Sequence, residues 1–501
     1  MSRAIFCLNG PDAVNGPNIW LTRHLPLLAA RGIEPVVLYL STEPDRPCRY
    51  RETLERAGVR SHPVCLGRSI DDNTVAISRS AAELHPDFFV PNYSVAGYYA
   101  ARFLRECGVV TIGMLHSDDP YYHDIIDFFL AGDPRWRLTA VVGVSEFLQT
   151  AVRERVGDAC PYLHAPYGAP VPTQRARWSA ERFGLVYSGR LVERQKRVSR
   201  VATAMLAAAA ACPRVEGVLY GEGPEAERLT RNCAAGARRV RLGGLLRPEE
   251  IQPAMLDEQA FVLLSDFEGL SIALMEAMAC GLVPIVTPMR SGVTDLVRDG
   301  ETGLVVPADA PASFAEAVAR LANDRASWQR LADGARAEII KRGYTPEGCA
   351  DAWVRFLDEL ALRPRRRGSL HIPPSEDWQM PPRSERQDGI RTEDRRGAQI
   401  RIHAALAAGR PVYLWGASRA GEVFLGSLGG RNLAIHGFID SDRAKTGRVF
   451  HGFPIWSPEV LRQKTRDEKT PFVVITSQFE AEIGAALRSF GYVEDTDFVA
   501  G

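Results

Sequence analysis

Ser265–Thr287 reads SDFEGLSIALMEAMACGLVPIVT. The apolar run AFVLLS (260–265) leads into it and LVPIVT (282–287) closes it, so the segment is expected to run strand, loop, helix, strand. Glu268 falls in the loop, Gly269 frees its backbone, and Ser271 is placed to cap the helix that carries Glu276. Cys280-Gly281 ends that helix with a residue able to take the left-handed conformation. The amides of Gly269, Leu270 and Ser271 form a helix N-terminus, a ready place for a phosphate. A carboxylate beside a bound phosphate is costly without another partner. Glu268 is therefore expected to meet sugar hydroxyls, and Glu276 to accept two hydrogen bonds from a ribose. The plainer alternative, two solvated glutamates near a first helical turn, fits the surrounding pattern less well.

Working outward, short apolar runs bounded by Gly, Pro and Ser recur through AIFCL (4–8), PVVLYL (35–40), VVTIGML (109–115), TAVVGVS (139–145), GLVYSG (184–189) and EGVLYG (216–221). They read as buried parallel strands. Helical patterns lie between them, as in 19–31, where Leu21, Leu25 and Leu28 share one face. Repeated βαβ units imply doubly wound α/β domains, and about 300 residues is too many for one such sheet. The expected domains are 1–168 and 169–362, with the seam in HAPYGAPVP (164–172). A Pro- and Arg-rich linker (363–396) follows. A third, small α/β unit (397–501) begins with PVYLWGASRAGEVFL (411–425), and IHGFID (435–440) and FVVITS (472–477) supply further strands.

The bulk composition narrows the function classes. Lys plus Arg equals Asp plus Glu at 61 each, so no overall field draws the 501-residue chain to nucleic acid or anionic lipid. Nine scattered cysteines without CxxC spacing suggest neither a zinc site nor a disulfide framework. The N-terminal apolar run is too short for a signal-peptide core. The Ala-rich stretch 201–212 is well under the roughly 20 residues a membrane span needs. A soluble, cytoplasmic protein is expected, with at most peripheral membrane association.

YSGRLVERQK (187–196) places Arg190 and Lys196 on a Gly turn after a strand, a cationic pair suited to a diphosphate leaving group. Together with EGLS and EAMACGLVPIV, this resembles the Glu-x7-Glu signature of retaining family-4 glycosyltransferases, which more often carry EGFG at the first glutamate. The resemblance spans roughly residues 1–362 and is strongest in the second domain. It implies the GT-B fold, two facing Rossmann-like domains with the active site in the cleft. It also implies pyrophosphate-binding roles for Arg190 and Lys196, and contact with the nucleotide base through Gly244 and Leu245 of RLGGLLRPEEI (241–251). YGEGPEAERL (220–229) resembles the family's strand-end turn, with Gly221 and Gly223 shaping the backbone. Gly16 matches the glycine loop of the first domain, although Gly16-Pro17 replaces the usual two glycines. His116, ending VVTIGMLHSDDP (109–120), resembles a strand-end histidine that touches the transferred sugar. His116 and Glu268 are thus the implied catalytic residues. Ser145 of VSEFL (144–148) is expected to be an N-cap.

No DxD sequence occupies a convincing strand-end loop, Asp118-Asp119 being a weak candidate. Metal-independent, front-face displacement without a cofactor is the expected mechanism, with a nucleotide-diphosphate sugar (UDP- or GDP-sugar) as donor and a glycan, glycolipid or other hydroxyl acceptor. A nucleotide-sugar epimerase of the same fold and a nucleotide-sugar-binding scaffold are the alternatives. In the third unit Gly416, Ser418 and Gly421 approximate G-x-G-x-x-G without its middle glycine, and Asp440 ends the next strand. A nucleotide site and a structural or homo-oligomerising role are equally compatible with that pattern.

Overall fold

The computed structural model describes residues 2–10, 16–67, 70–118, 120–193, 195–234, 239–289, 291–363, 368–372, 402, 405, 409–418, 421, 424–425, 435–463, 470–477, 480–493 and 496–500. Most of the expected linker, and residues 11–15 of the glycine loop, lie outside them. The chain divides into two compact units, one holding Met1–Cys65 with Thr74–Trp378 and the other Leu66–Asn73 with Gln379–Gly501.

The larger unit contains two parallel sheets. The first has seven strands, β1 (Ser2–Asn9), β2 (Ile33–Ser41), β3 (Arg60–Cys65), β4 (Phe88–Val90), β5 (Val110–Leu115), β6 (Ala140–Gly143) and β7 (Tyr162–His164). Their spatial order is β3-β2-β1-β4-β5-β6-β7. The second has β8 (Phe183–Ser188), β9 (Val215–Tyr220), β10 (Val240–Gly244), β11 (Ala260–Leu263), β12 (Val283–Val286) and β13 (Leu304–Val305), in the order β10-β9-β8-β11-β12-β13. All pairings in both are parallel. In each sheet the strand order reverses beside the first strand, and the ends of strands at such a switch point open the crevice where α/β proteins hold ligands.

Central strands such as Ala4–Leu8 and Ala260–Leu263 are buried on both faces, as continuous apolar runs require. The first helix spans Gly16–Ala29 and buries Leu21, Leu25 and Leu28. The signature helix is Ile272–Cys280, with Ser271 Oγ accepting from the Leu274 amide at 3.3 Å and Gly281 left-handed at φ 83°. Ser145 caps the helix Glu146–Val156 in the same way, accepting from Leu148. Among the described residues no helix is long and apolar enough to cross a membrane.

The smaller unit has a six-stranded sheet of β14 (Val412–Trp415), β15 (Ile435–Ile439), β16 (Val449–Phe450), β17 (Phe453–Trp456), β18 (Phe472–Ile475) and β19 (Phe498–Ala500). The order is β16-β17-β15-β14-β18-β19, with only the β16–β17 hairpin antiparallel. Apolar clusters pack on both faces, one around Leu414, Phe438 and Val474 and the other around Tyr413, Ile439 and Val473.

Candidate active site between the two sheets of the larger unit

β8 and β11 are paired neighbours, so the loops that follow them meet. Lys196, after β8, places Nζ 2.5 Å from Glu268 Oε1, after β11. Ser265 Oγ donates to the same oxygen at 2.7 Å. Arg190 Nη2 donates to Gln195 Oε1 at 2.6 Å, and Gln195 Nε2 donates to the Phe267 carbonyl at 3.2 Å. The two loops therefore hold each other, with a cation and a carboxylate at their junction. Gly221 and Gly223 fit against this assembly. A Cβ at Gly221 would meet the Gly189 carbonyl, and one at Gly223 would lie 2.7 Å from the Leu191 carbonyl carbon.

The first sheet closes the opposite wall. Gly269 abuts the end of β5 so tightly that a Cβ there would stand 2.6 Å from the His116 carbonyl carbon and 2.9 Å from Ser117 Cα. Two backbones meet at this point, so no rotamer change relieves such a clash. The Gly292 amide donates to the Gly269 carbonyl at 2.7 Å, and Asp295 Oδ2 accepts from the Glu146 amide at 2.8 Å. Burial pushes the Asp295 carboxyl up to about 6.

His116 is buried between two partners. Asn92 Nδ2 donates to the Cys7 carbonyl at 3.1 Å, which turns Asn92 Oδ1 toward His116 Nε2 at 2.7 Å. Nε2 thus carries the proton, and Nδ1 accepts from the Tyr167 hydroxyl at 2.8 Å. Tyr167 also stacks on the imidazole, at 5.7 Å between centroids and 12° between planes. Burial lowers the His116 pKa to about 3, so the ring is neutral at physiological pH. Both of its nitrogens are committed, and its carbonyl is the part that faces Gly269.

Glu276 is deeply buried on the signature helix, and Arg23 Nη2 of the first helix lies 2.7 Å from its Oε1. Burial raises the Glu276 pKa and Arg23 opposes that rise. Gly16 is near the same helix, its Cβ position 3.6 Å from Ile272 Cδ1. Leu270 is buried. Gly244 has φ 76° with open space around it, and Leu245 beside it is 45% exposed. These two lie at the end of the edge strand β10, whereas Lys196, Glu268, Gly269 and His116 form one cluster. Asp118 Oδ1 is paired with His123 Nε2 at 2.6 Å, and Asp119 lies outside the described residues. Arg23, Asn92, Tyr167 and Asp295 were not singled out from sequence. Asn92 alone left a signal, a Pro-Asn turn after the strand Phe88–Val90.

In the smaller unit Gly416 and Gly421 are required by the chain's own packing. A Cβ at Gly416 would lie 2.7 Å from the Thr476 carbonyl oxygen, and one at Gly421 would lie 3.0 Å from Phe438 Cε1. Ser418 is partly buried in the loop after β14. Asp440 accepts from the amides of Ala417 (3.0 Å) and Asp442 (2.9 Å) and pairs with Lys445 Nζ at 3.0 Å. The Asp440 carboxylate thus has three partners within the unit among the described residues.

Residues 182–324 match the family model for glycosyl transferases group 1. The chain is 28% identical over 295 residues to the exopolysaccharide phosphotransferase of Streptomyces coelicolor, covering 58% of this chain and 29% of that protein. It is 26% identical over 381 residues to the GDP-mannose-dependent alpha-mannosyltransferase of Mycobacterium tuberculosis, covering 70% of this chain and 94% of that one. Among solved structures, Anabaena HepE in complex with UDP and glucose aligns with a TM-score of 0.59 at 16% identity, covering 72% of this chain and all of that one. The chain therefore spans less than a third of the Streptomyces coelicolor relative but nearly all of the mycobacterial one. The matched fold is GT-B, and residues 182–324 of this chain are similar to the group 1 glycosyl transferases.

Proposed function

We propose that the protein is a retaining glycosyltransferase that moves a sugar from a nucleotide-diphosphate donor to a hydroxyl of a glycan, glycolipid or other acceptor. The observation that carries this is the meeting of Lys196 and Glu268 at 2.5 Å, beside a helix N-terminus and against the wall formed by His116. A diphosphate entering there would take Lys196, Arg190 and the amides of Gly269–Ser271 as its partners. Those groups stabilise the charge that grows on the leaving oxygen. Glu268, released from Lys196, accepts from hydroxyls of the transferred sugar, and Glu276 accepts from the ribose.

The acceptor oxygen forms its bond to the anomeric carbon on the face from which the diphosphate departs. The acceptor's proton passes to the departing phosphate oxygen, and a free nucleoside diphosphate is the second product. The cationic side chains supply the charge stabilisation, so no metal or cofactor is assigned a step. His116 acts through its backbone carbonyl and its position rather than as a proton donor, because both ring nitrogens are engaged.

The donor base is open between uridine and guanosine. The HepE complex contains UDP and the mycobacterial relative is named for GDP-mannose. Thermal shift with UDP-, GDP-, ADP- and dTDP-sugars identifies the donor, since a ligand of the folded state raises its melting temperature. Product analysis then completes the test. Transfer of a sugar releases a nucleoside diphosphate, whereas transfer of a phosphorylated sugar from the same donor would release a monophosphate; the Streptomyces relative is named a phosphotransferase. Glu276→Ala should weaken donor binding roughly 10- to 100-fold through loss of hydrogen bonds to a charged acceptor. No shift with any donor, and equal affinity in Glu276→Ala, would remove the proposal. Tight binding without turnover would favour a scaffold.

A further inference from the structure

Arg23 belongs to the first half of the larger unit, yet it reaches the second. Its helix, Gly16–Ala29, approaches the signature helix at two points. Gly16 lies against Ile272, and two turns further on Arg23 Nη2 lies 2.7 Å from Glu276 Oε1. The carboxylate side chain is 2% exposed and the guanidinium side chain 20%. Their charges compensate each other, but their hydrogen-bonding capacity is not used up. Among the described residues, Arg23 Nη1, a donor, is buried with no hydrogen-bond partner, and Glu276 Oε1, an acceptor, has only the Arg23 Nη2 contact, which lacks hydrogen-bond alignment.

The chemistry that fits both is narrow. A phosphate or carboxylate offers only acceptors and would be repelled by Glu276. An ammonium offers only donors and would be repelled by Arg23. A hydroxyl donates and accepts at one oxygen, so it satisfies both atoms at no cost in charge. We propose that Arg23 is the second wall of the ribose subsite, with one ribose hydroxyl donating to Glu276 and accepting from Arg23. This rests on the assignment of Glu276 to the ribose. Because Arg23 comes from the opposite half, the bridge exists only when the two halves are together, and the nucleoside helps to hold them so.

The test is a cycle between protein and ligand, read by calorimetry on the full chain. UDP and GDP are compared first, and the tighter one is then compared with its 2′-deoxy and 3′-deoxy forms. In the wild type at least one deoxy compound should bind about tenfold more weakly. Arg23→Met should weaken the parent nucleotide about tenfold and shrink that deoxy penalty at least threefold. Arg23→Lys keeps the charge beside Glu276 but has one nitrogen in place of the guanidinium fork, so nothing stands where Nη1 stood. It should fold normally and still show the smaller penalty, so it decides the matter even if the methionine variant is unstable. A deoxy penalty unchanged from wild type in Arg23→Lys would overturn the role of Arg23 while leaving Glu276 in place. Deoxy compounds that bind the wild type like their parents, with Glu276→Gln also unaffected, would overturn the ribose assignment itself.

Discussion

Replacing Lys196 with methionine should damage stability and turnover by separable amounts. The side chains of Lys196 and Glu268 are 13% and 6% exposed, and their contact is 2.5 Å. Removing the cation leaves Glu268 with Ser265 as its remaining hydrogen-bond donor among the contacts described. Breaking a buried pair from one side costs about 3–5 kcal/mol. Ser265 and the nearby cleft place this case at the lower end, about 3 kcal/mol. At about 2 °C per kcal/mol for a large domain, the melting temperature should fall by roughly 6 °C. Turnover should fall further, by about 10²–10³-fold, the usual effect of losing one preorganised donor to a developing charge. Adding Glu268→Gln to Lys196→Met removes the uncompensated charge, so the double variant should regain most of the lost stability and none of the turnover. Differential scanning fluorimetry and nucleoside diphosphate release measure the two quantities. A Lys196→Met protein with kcat within threefold of wild type, or a double variant no more stable than the single, would refute the reasoning.

Gly269→Ala should act on closure. Its Cβ would press on the His116 and Ser117 backbone, at a strain of about 1–3 kcal/mol, lowering kcat/KM roughly 10- to 100-fold and enlarging the radius of gyration seen by small-angle scattering. Acid should destabilise the fold through its buried histidines. His24, like His116, has its pKa lowered to about 3, mainly by burial. Below about pH 6.5 the unfolded chain takes up protons that the folded chain refuses, so each ring lowers stability progressively from about pH 6.5 down to about 3. His24→Asn should flatten that decline by up to about 1.4 kcal/mol per pH unit, as measured by urea unfolding at a series of pH values. An unchanged slope would show that His24 is not neutral and buried in solution.

Much of this architecture is legible in residue order. The eight apolar runs of the first two domains all became strands because continuous Val, Ile and Leu suit a strand covered on both faces. The Ser271 cap and Gly281 stop were readable because they are local backbone chemistry. Strands with mixed patterns were not legible. β3 (RSHPVC) is largely exposed at a sheet edge, β4 has only three residues, and β16 and β17 form a short hairpin. The pairing of Lys196 with Glu268 follows from two loops on adjacent strands, 72 positions apart. Neither that distance nor the 2.7 Å approach of Arg23 to Glu276 leaves a mark in local sequence, because each depends on how whole sheets face one another. The glycines of the smaller unit show the converse limit. Their spacing suggests a nucleotide turn, and a Cβ at either would also meet the protein's own carbonyl or ring atoms, so close packing and a ligand leave the same mark in sequence.

The exchange of groups between the two sheets has a consequence for recombination. Swapping donor-binding halves between proteins of this fold is an attractive route to new sugar specificities, because each half carries its own sheet. Here the second half depends on Arg23 for Glu276, on the carbonyl of His116 for the fit of Gly269, and on the Glu146 amide for Asp295. A hybrid joined at the loop between β7 and β8 would inherit a carboxylate without its counter-charge unless Arg23 travels with it. The unit of inheritance for donor recognition in this chain is therefore larger than the half that bears the signature.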